Sequence, residues 1–263
     1  MNMKTKIFVI LAIASVGFLS NAYGKDKESW NESRSYHFII YYKDAPQNFI
    51  KSVEQTAEDY YQEITRNLGF IRDQSWAWDK RAKIYIYRDA EDYVESSKQA
   101  GWSHGAASAL EKEIRTYPAA NGFFDSILPH ELGHIIFREF IGSNPYVPTW
   151  VDEGVAMYQE KAKRWGANKE VKKAIEEKKF IPLGELSTVR LYSNSEKEFV
   201  ELFYAEAASI VYYLITELGE YKFVELCKQL KRGGRFENAI SSTYFRFQNL
   251  SDLNDAWVTY LKR

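Results

Sequence analysis

The stretch SILPHELGHIIFREF, from Ser126 to Phe140, sets two histidines four residues apart in an otherwise apolar segment. The whole chain contains only four histidines. Because each residue of an α-helix advances about 100°, His130 and His134 lie on one face, one turn apart. Glu131 lies roughly 60° from His134 around the same helix. The spacing therefore predicts a buried helix that presents two imidazoles and a nearby carboxylate.

This arrangement is the H-E-x-x-H pattern, in which two histidines bind zinc and the glutamate serves as general base. Random placement of these residue types gives about 0.006 expected occurrences in a chain of this composition. The alternative interpretation is that the two histidines only pack or cap within a buried helix. The pattern favours a zinc site at His130 and His134, with Glu131 beside it.

A catalytic zinc usually has three protein ligands and an open fourth position. The segment TWVDEGVAMYQE, residues 149–160, offers three candidates for the third ligand, which are Asp152, Glu153 and Glu160. The spacing from His134 leaves room for one helix to end and a second, antiparallel helix to begin. Asp152 and Glu160 are also candidates to accept a hydrogen bond from the outer nitrogen of a ligating histidine. The alternatives are a charge at the helix N-terminus for Asp152 and an ordinary exposed glutamate for Glu160.

The pair HELGH and WVDEG at this spacing resembles the gluzincin metallopeptidases, the superfamily of thermolysin and the aminopeptidase N type enzymes, and most of all its peptidase MA-like members. A weaker resemblance extends over YHFIIYYKD at 36–44 and YAEAASIVYYL at 204–214. The resemblance implies a zincin-like catalytic fold, a Zn²⁺ cofactor and a peptide or protein substrate. The site residues that it implies are His130, His134 and Glu153 as zinc ligands and Glu131 as the base.

The resemblance also implies a donor for the oxyanion that forms during hydrolysis. Related enzymes often present a tyrosine from their helical half, and Tyr204 stands there in this chain. The alternative is that Tyr204 is an ordinary core aromatic. His104 is a weaker second candidate, whereas His37 alternates within a predicted strand and is interpreted as structural.

The chain departs from the family pattern in two places. Aminopeptidases of the superfamily carry a G-x-M-E-N signature, and this chain has GAASAL at 105–110 instead, which favours an endopeptidase. Met157 stands where thermolysin-like enzymes have an aspartate, which favours the aminopeptidase-like or peptidase MA-like branch. The alternative functions are an exported zinc-containing binding or scaffold protein, or a zinc hydrolase of a non-peptide amide. A scaffold has no need for Glu131, and a structural zinc usually has four protein ligands.

The rest of the chain predicts an α+β fold, with a mixed sheet and helices in the first half and only helices in the second. Strands are expected at 36–44 and 82–89, in a parallel pair joined by a helix that Gly69 ends, and two short strands are expected within 103–116 at a sheet edge. The segment between the signal and the first strand is interpreted as a polar linker. The predicted organisation comprises a signal peptide at 1–24, an α/β half at 25–142 that ends in the HELGH helix, and a helical half at 143–263.

The N-terminus has the features of a secretory signal. Lys4 and Lys6 precede an apolar run from Ile7 to Leu19, and a small-x-small pattern ends at Gly24. The run is shorter than the ~20 apolar residues that a membrane span needs, and no other stretch is expected to cross a membrane. We therefore expect export to the periplasm or the extracellular space, with an uncleaved anchor as the alternative.

The charge and the cysteine content limit the kinds of binding partner and cross-link that the chain can have. The formal net charge of −1 and the pI near 6.5 argue against nucleic acid, since such binders usually carry a basic excess. The single cysteine, Cys227, cannot form an internal disulfide and is expected to be a buried structural thiol. The sequence leaves the oligomeric state open.

Overall fold

The computed structural model describes residues 30–70, 76, 80–97, 105–108, 111–118, 120, 122–192 and 195–263. The predicted signal peptide and His104 lie outside these residues. The predicted edge segment 103–116 lies within them only in part.

The described residues form one five-stranded mixed sheet in the first half of the chain. The strands lie in the order β1-β2-β3-β5-β4, with parallel pairs at β2–β3 and β3–β5 and antiparallel pairs at both edges. Their bounds are Asn31–Arg34 (β1), Phe38–Tyr42 (β2), Ala82–Ile86 (β3), Gly105–Ser108 (β4) and Glu113–Thr116 (β5). The parallel pair predicted from the sequence is therefore β2–β3.

The interpretation of the residues before β2 as a polar linker was wrong. Residues Asn31–Arg34 form β1, which pairs antiparallel with β2. An edge strand has a partner on one side only and tolerates charged and polar side chains, so its sequence lacks the apolar alternation of an inner strand.

One face of the sheet is buried because apolar residues alternate along its inner strands. Phe38, Ile40, Ile84 and Ile86 are all fully buried. Helix α1, Gln47–Asn67, contacts β2 and buries an apolar stripe at helical spacing. The chain turns after it at Gly69, whose φ of 66° suits glycine. The first half of the core thus lies between the sheet and α1.

The helical half begins after α3, the helix that carries the two histidines. Before it come α2, Ala90–Ser97, and a π-helical turn at Phe123–Ile127, which leads directly into α3 at Leu128–Ile141. The later helices are α4 (Thr149–Gln159), α5 (Lys161–Glu176), α6 (Leu183–Leu186), α7 (Lys197–Tyr212) with a π-helical turn at Tyr213–Glu217, α8 (Glu220–Lys231), α9 (Phe236–Thr243) and α10 (Leu250–Leu261). The predicted α+β class, with a mixed sheet followed by helices, is confirmed.

Two glycines allow the central helices to approach closely. A Cβ atom at Gly133 of α3 would lie 2.9 Å from the Cα atom of Ala156 on α4. A Cβ atom at Gly154 of α4 would overlap the carbonyl oxygen of Ala207 on α7. Helices α3, α4 and α7 therefore pack backbone against backbone at these points, which brings side chains of all three helices into one region.

One segment of the described residues, Lys197–Glu217, is long and apolar enough to cross a membrane by length and composition alone. The sequence analysis did not single out this segment, because it considered only uninterrupted apolar runs. In the structure 67% of the most apolar window of this segment is buried within the chain. Core helices often meet the same criterion, so the finding is weak evidence for a span.

Candidate active site

Helix α3 and helix α4 bring two imidazoles and one carboxylate together. The Nε2 atoms of His130 and His134 lie 3.2 Å apart. The Oε2 atom of Glu153 lies 3.7 Å from the first of these nitrogens and 3.6 Å from the second. One ligand atom from each of the three residues lies within 4.8 Å of the others, so a single ion could contact all three.

The two helices run antiparallel, as the spacing predicted. Ser126, just before α3, hydrogen-bonds to Glu160 at the end of α4. Twelve residues later, Arg138 near the end of α3 contacts Asp152 in the first turn of α4. Glu153 faces the histidines from between these two contacts.

A carboxylate lies behind each histidine ring. The Oε1 atom of Glu160 lies 2.9 Å from Nδ1 of His130, and the Oδ1 atom of Asp152 lies 3.3 Å from Nδ1 of His134. Carboxylates in this position fix the orientation of a ring and raise the basicity of its other nitrogen. The Nε2 atoms therefore both point toward the shared centre, with their lone pairs available there once the Nδ1 atoms carry the protons.

Glu160 reaches His130 by a route that the sequence did not predict. The segment after Thr149 was expected to continue as one helix past Glu160, but α4 ends at Gln159. Glu160 has an extended backbone, with φ −80° and ψ 100°, and the next helix starts directly after it. The residue is only 2% exposed, so the interpretation of Glu160 as an ordinary surface glutamate was wrong.

Sequence reasoning missed two side chains that contact these carboxylates. The hydroxyl group of Ser126 donates to Glu160, and both Nε and Nη2 of Arg138 lie 2.9 Å from Oδ2 of Asp152. Arg138 follows His134 by one helical turn, so the spacing placed it on the correct face. What the sequence did not show was that Asp152 would lie between them.

Burial and charge shift the pKa values of the central groups. Burial raises the pKa of Glu131 and of Glu153, more than the two neighbouring histidines lower them. Burial alone would lower the pKa of His134, but the carboxylates of Asp152 and Glu153 outweigh it and raise the value to about 10. Burial alone would raise the pKa of Asp152, but the positive charges of His134 and Arg138 outweigh it and lower the value. The raised pKa of His134 shows that the carboxylates around it favour a positive charge at this position.

The unpaired oxygens of the centre also fit a metal ion. Among the described residues, the buried side-chain oxygens without a hydrogen-bond partner include Oε1 of Glu131, Oε2 of Glu153 and the hydroxyl of Tyr204. A buried polar atom without a partner costs about 1–3 kcal/mol. Two histidine nitrogens and a glutamate oxygen are also the donor set of many catalytic zinc sites. The residues present therefore fit zinc.

Tyr204 comes to the centre from α7. Its side chain is buried, and burial raises its pKa, as do the negative charges of Glu153 and Glu131. The hydroxyl group thus stays protonated at any physiological pH and lies near the charges of the centre. His37 makes other contacts. Its Nδ1 atom lies 2.6 Å from Glu58, and its ring stacks on Tyr61.

A mixed sheet followed by helices, with a HExxH helix packed on a helix that supplies a glutamate, defines a protein with a zincin-like fold. The family model of the Peptidase MA superfamily matches residues 70–263 of the chain. The chain therefore belongs to the Peptidase MA superfamily, a group of peptidases. No curated protein sequence matches the chain.

The fold is similar to that of native yeast LTA4 hydrolase. The similarity has a TM-score of 0.53 at 14% sequence identity and covers 87% of this chain. It covers 39% of the yeast enzyme, so the chain spans about two fifths of that protein's length. At this identity the similarity concerns the fold alone.

Proposed function

We propose that this protein is a zinc-dependent metallopeptidase that hydrolyses peptide bonds, with an endopeptidase as the favoured type. The observation that carries the proposal is the convergence of His130, His134 and Glu153 on one point, with Glu131 buried beside them. Membership of a peptidase superfamily supports the same conclusion. The proposed zinc ligands are the Nε2 atoms of the two histidines and the carboxylate of Glu153.

A bound zinc ion supplies Lewis acidity, because it lowers the pKa of water toward about 7 and polarises a carbonyl group. The chain itself supplies the proton transfers. Glu131 accepts a proton from the attacking water and returns it to the nitrogen of the leaving amine. Burial raises the pKa of Glu131, which makes its carboxylate a stronger base than a solvated one.

Tyr204 is the proposed donor to the oxyanion that develops on the scissile carbonyl. A donor of this kind must keep its proton while negative charge forms beside it. Burial and the carboxylate of Glu153 both keep the phenol of Tyr204 protonated.

The proposed substrate is a peptide or protein in an extended conformation. Among the strands that the structure describes, β4 pairs with β5 alone and lies at the edge of the sheet, where an extended peptide could add as a further strand. The absence of a G-x-M-E-N segment in the sequence leaves no obvious anchor for a free amino terminus, which favours internal cleavage. The near-neutral charge of the chain gives no support for nucleic acid as a partner.

The predicted leader makes the periplasm or the extracellular space the proposed location of the enzyme, with no stable membrane span after cleavage of the signal. The segment 1–24 lies outside the described residues, so this part of the proposal rests on its sequence alone. Sequencing the amino terminus of the protein recovered from culture medium or periplasm would test it, with cleavage near Gly24 as the expected result.

The glutamate of the HExxH motif offers the sharpest test of the reaction. We expect Glu131→Gln to retain zinc by mass spectrometry and to lose about 10²–10⁴-fold of casein or peptide-library cleavage, because the variant has no general base. Glu139→Gln is the matched control, since it makes the same change on α3 away from the centre. If the wild type and Glu131→Gln both contain zinc and neither cleaves the substrate, the protein is a scaffold and the proposal is overturned.

A further inference from the structure

The two histidines of the centre are supported in chemically different ways. Glu160, behind His130, accepts a hydrogen bond from the neutral hydroxyl of Ser126. Asp152, behind His134, is held by the charged guanidinium of Arg138. The guanidinium of Arg138 is a charged, planar donor, and a donor of this kind fixes a carboxylate firmly.

The contacts of Asp152 divide its two oxygens between two partners. Both Nε and Nη2 of Arg138 lie 2.9 Å from Oδ2. The other oxygen, Oδ1, lies at ion-pair distance from Nδ1 of His134, 3.3 Å away, and makes no well-formed hydrogen bond among the described residues. If Arg138 were absent, Asp152 could rotate and present either oxygen, or neither, to the imidazole.

The position of Arg138 on α3 explains how it can hold Asp152. Arg138 follows His134 by four residues, so the two side chains are neighbours on one helix face. Asp152 reaches into the gap between them from the first turn of α4. The three residues therefore form a clamp that joins α3 to α4 directly beside the proposed ligand Glu153.

We propose that Arg138 is a positioning residue for the zinc site, which fixes Asp152 and through it the ring of His134, without contacting the metal itself. The inference rests on the proposed function, because it assumes that His130, His134 and Glu153 are the metal ligands. Outer contacts of metal-binding histidines typically change metal affinity by about 10–100-fold. The side chain of Arg138 is 27% exposed and is not one of the apolar core residues.

The test is the zinc dissociation constant, measured by competition with a chromophoric chelator on the purified full chain. We expect Arg138→Gln to weaken zinc binding about 10–100-fold and Arg138→Lys to recover part of the loss, since lysine keeps the charge but not the planar fork. Glu139→Gln is the matched control. It breaks the ion pair with Lys112 at the next position of the same helix, and it should change the dissociation constant less than twofold.

A double-variant cycle separates positioning from a general loss of stability. In an Asp152→Asn background, Arg138→Gln should have little further effect on zinc affinity, because the route through the carboxylate is already broken. Equal losses in both backgrounds would overturn the inference, as would an unchanged dissociation constant in Arg138→Gln. Thermal melting of the metal-free proteins identifies any variant that fails to fold, and Arg138→Lys then decides the question.

These outcomes are distinct from failure of the proposed function. If the wild-type chain binds zinc and His130→Ala abolishes binding, the metal site stands whatever Arg138 does. If His130→Ala binds zinc as tightly as the wild type, the proposed ligand set is wrong, and the inference about Arg138 falls with it.

Discussion

Helix α3 and the pair formed by α4 and α7 contribute to the same centre in different ways. On α3, His130, Glu131 and His134 share a region of one helix surface because of the helical period alone. Glu153 and Tyr204 come from separate helices and reach the centre only because α4 packs closely against both α3 and α7. Local geometry thus fixes one side of the site, and tertiary packing fixes the other.

The buried glutamates of these helices also differ in what they contact. Glu131 and Glu153 are both buried, and burial raises the pKa of each. Two residues beyond Tyr204 on α7, Glu206 is fully buried as well, but it contacts the backbone nitrogen of Ile181 rather than the centre. Helix α7 therefore places Tyr204 at the proposed site of chemistry, whereas Glu206 on the same helix takes part in the packing of the helical half.

Among the tests of this comparison, the largest expected effect comes from removing the contribution of α7 to the chemistry. Tyr204→Phe should lower kcat about 10²–10³-fold, or ~2.7–4 kcal/mol, because the variant lacks the oxyanion donor. KM and zinc content should stay close to those of the wild type. Tyr212→Phe, on the same helix, is the control, and steady-state cleavage of a fluorogenic peptide is the measurement. Equal activity of the two variants would show that α7 supplies packing only.

The next effect tests whether close packing sets the second side of the site. Gly154→Ala forces a Cβ atom against the carbonyl oxygen of Ala207, so the free energy of unfolding should fall by about 2–3 kcal/mol. The control is Gly166→Ala on α5, where a Cβ atom meets nothing within 4 Å. That change should stabilise the chain by up to about 1 kcal/mol, since alanine favours a helix over glycine. Urea denaturation measures both, and equal shifts would contradict the packing argument.

The effect that is smallest per step of the measurement, since it is spread over several pH units, distinguishes the structural glutamate of α7 from those at the centre. Burial raises the pKa of Glu206 from 4.5 to about 8, against a weaker opposing effect of the Ile181 N–H group. Between these two values the folded chain binds more protons than the unfolded chain. Its contribution to stability therefore falls as pH rises from about 5 to 8, by up to about 1.4 kcal/mol per pH unit.

Glu206→Gln should make the fall in stability across this pH range smaller than in the wild type, because glutamine keeps the acceptor for Ile181 and cannot ionise. Glu185→Gln, at an exposed position, is the control and should leave the pH dependence of the wild type unchanged. The measurement is the free energy of unfolding across pH 5–8. An equal fall in stability in Glu206→Gln and in the wild type would show that the carboxyl group ionises as freely in the folded chain as in the unfolded one.

The same division between local and tertiary geometry explains what the sequence could predict. The face of α3 follows from the spacing of its residues, and the class of fold follows from alternating and helical apolar patterns. Spacing alone left Asp152, Glu153 and Glu160 open as partners, and only the resemblance to a family selected Glu153. Choosing among neighbouring acids requires the orientation of a second helix, which local patterns do not contain.

Two features were invisible in the sequence for physical reasons. The break at Glu160 has no proline or glycine to mark it, since good helix formers stand on both sides. Strand β1 lacks apolar alternation because it is an edge strand in the part of the sheet that the structure describes, and edge strands tolerate polar side chains. For the clamp at Arg138, helical spacing predicts that the arginine lies next to His134, but it does not predict the contact with Asp152.

The most direct test of the central claim is the position of zinc in the folded chain, measured by anomalous diffraction at the zinc absorption edge on crystals of the zinc-loaded protein. The account predicts one strong peak about 2.0–2.2 Å from a nitrogen of His130, a nitrogen of His134 and a carboxylate oxygen of Glu153. A peak coordinated by other residues, or crystals of zinc-saturated protein with no peak at these three, would contradict it.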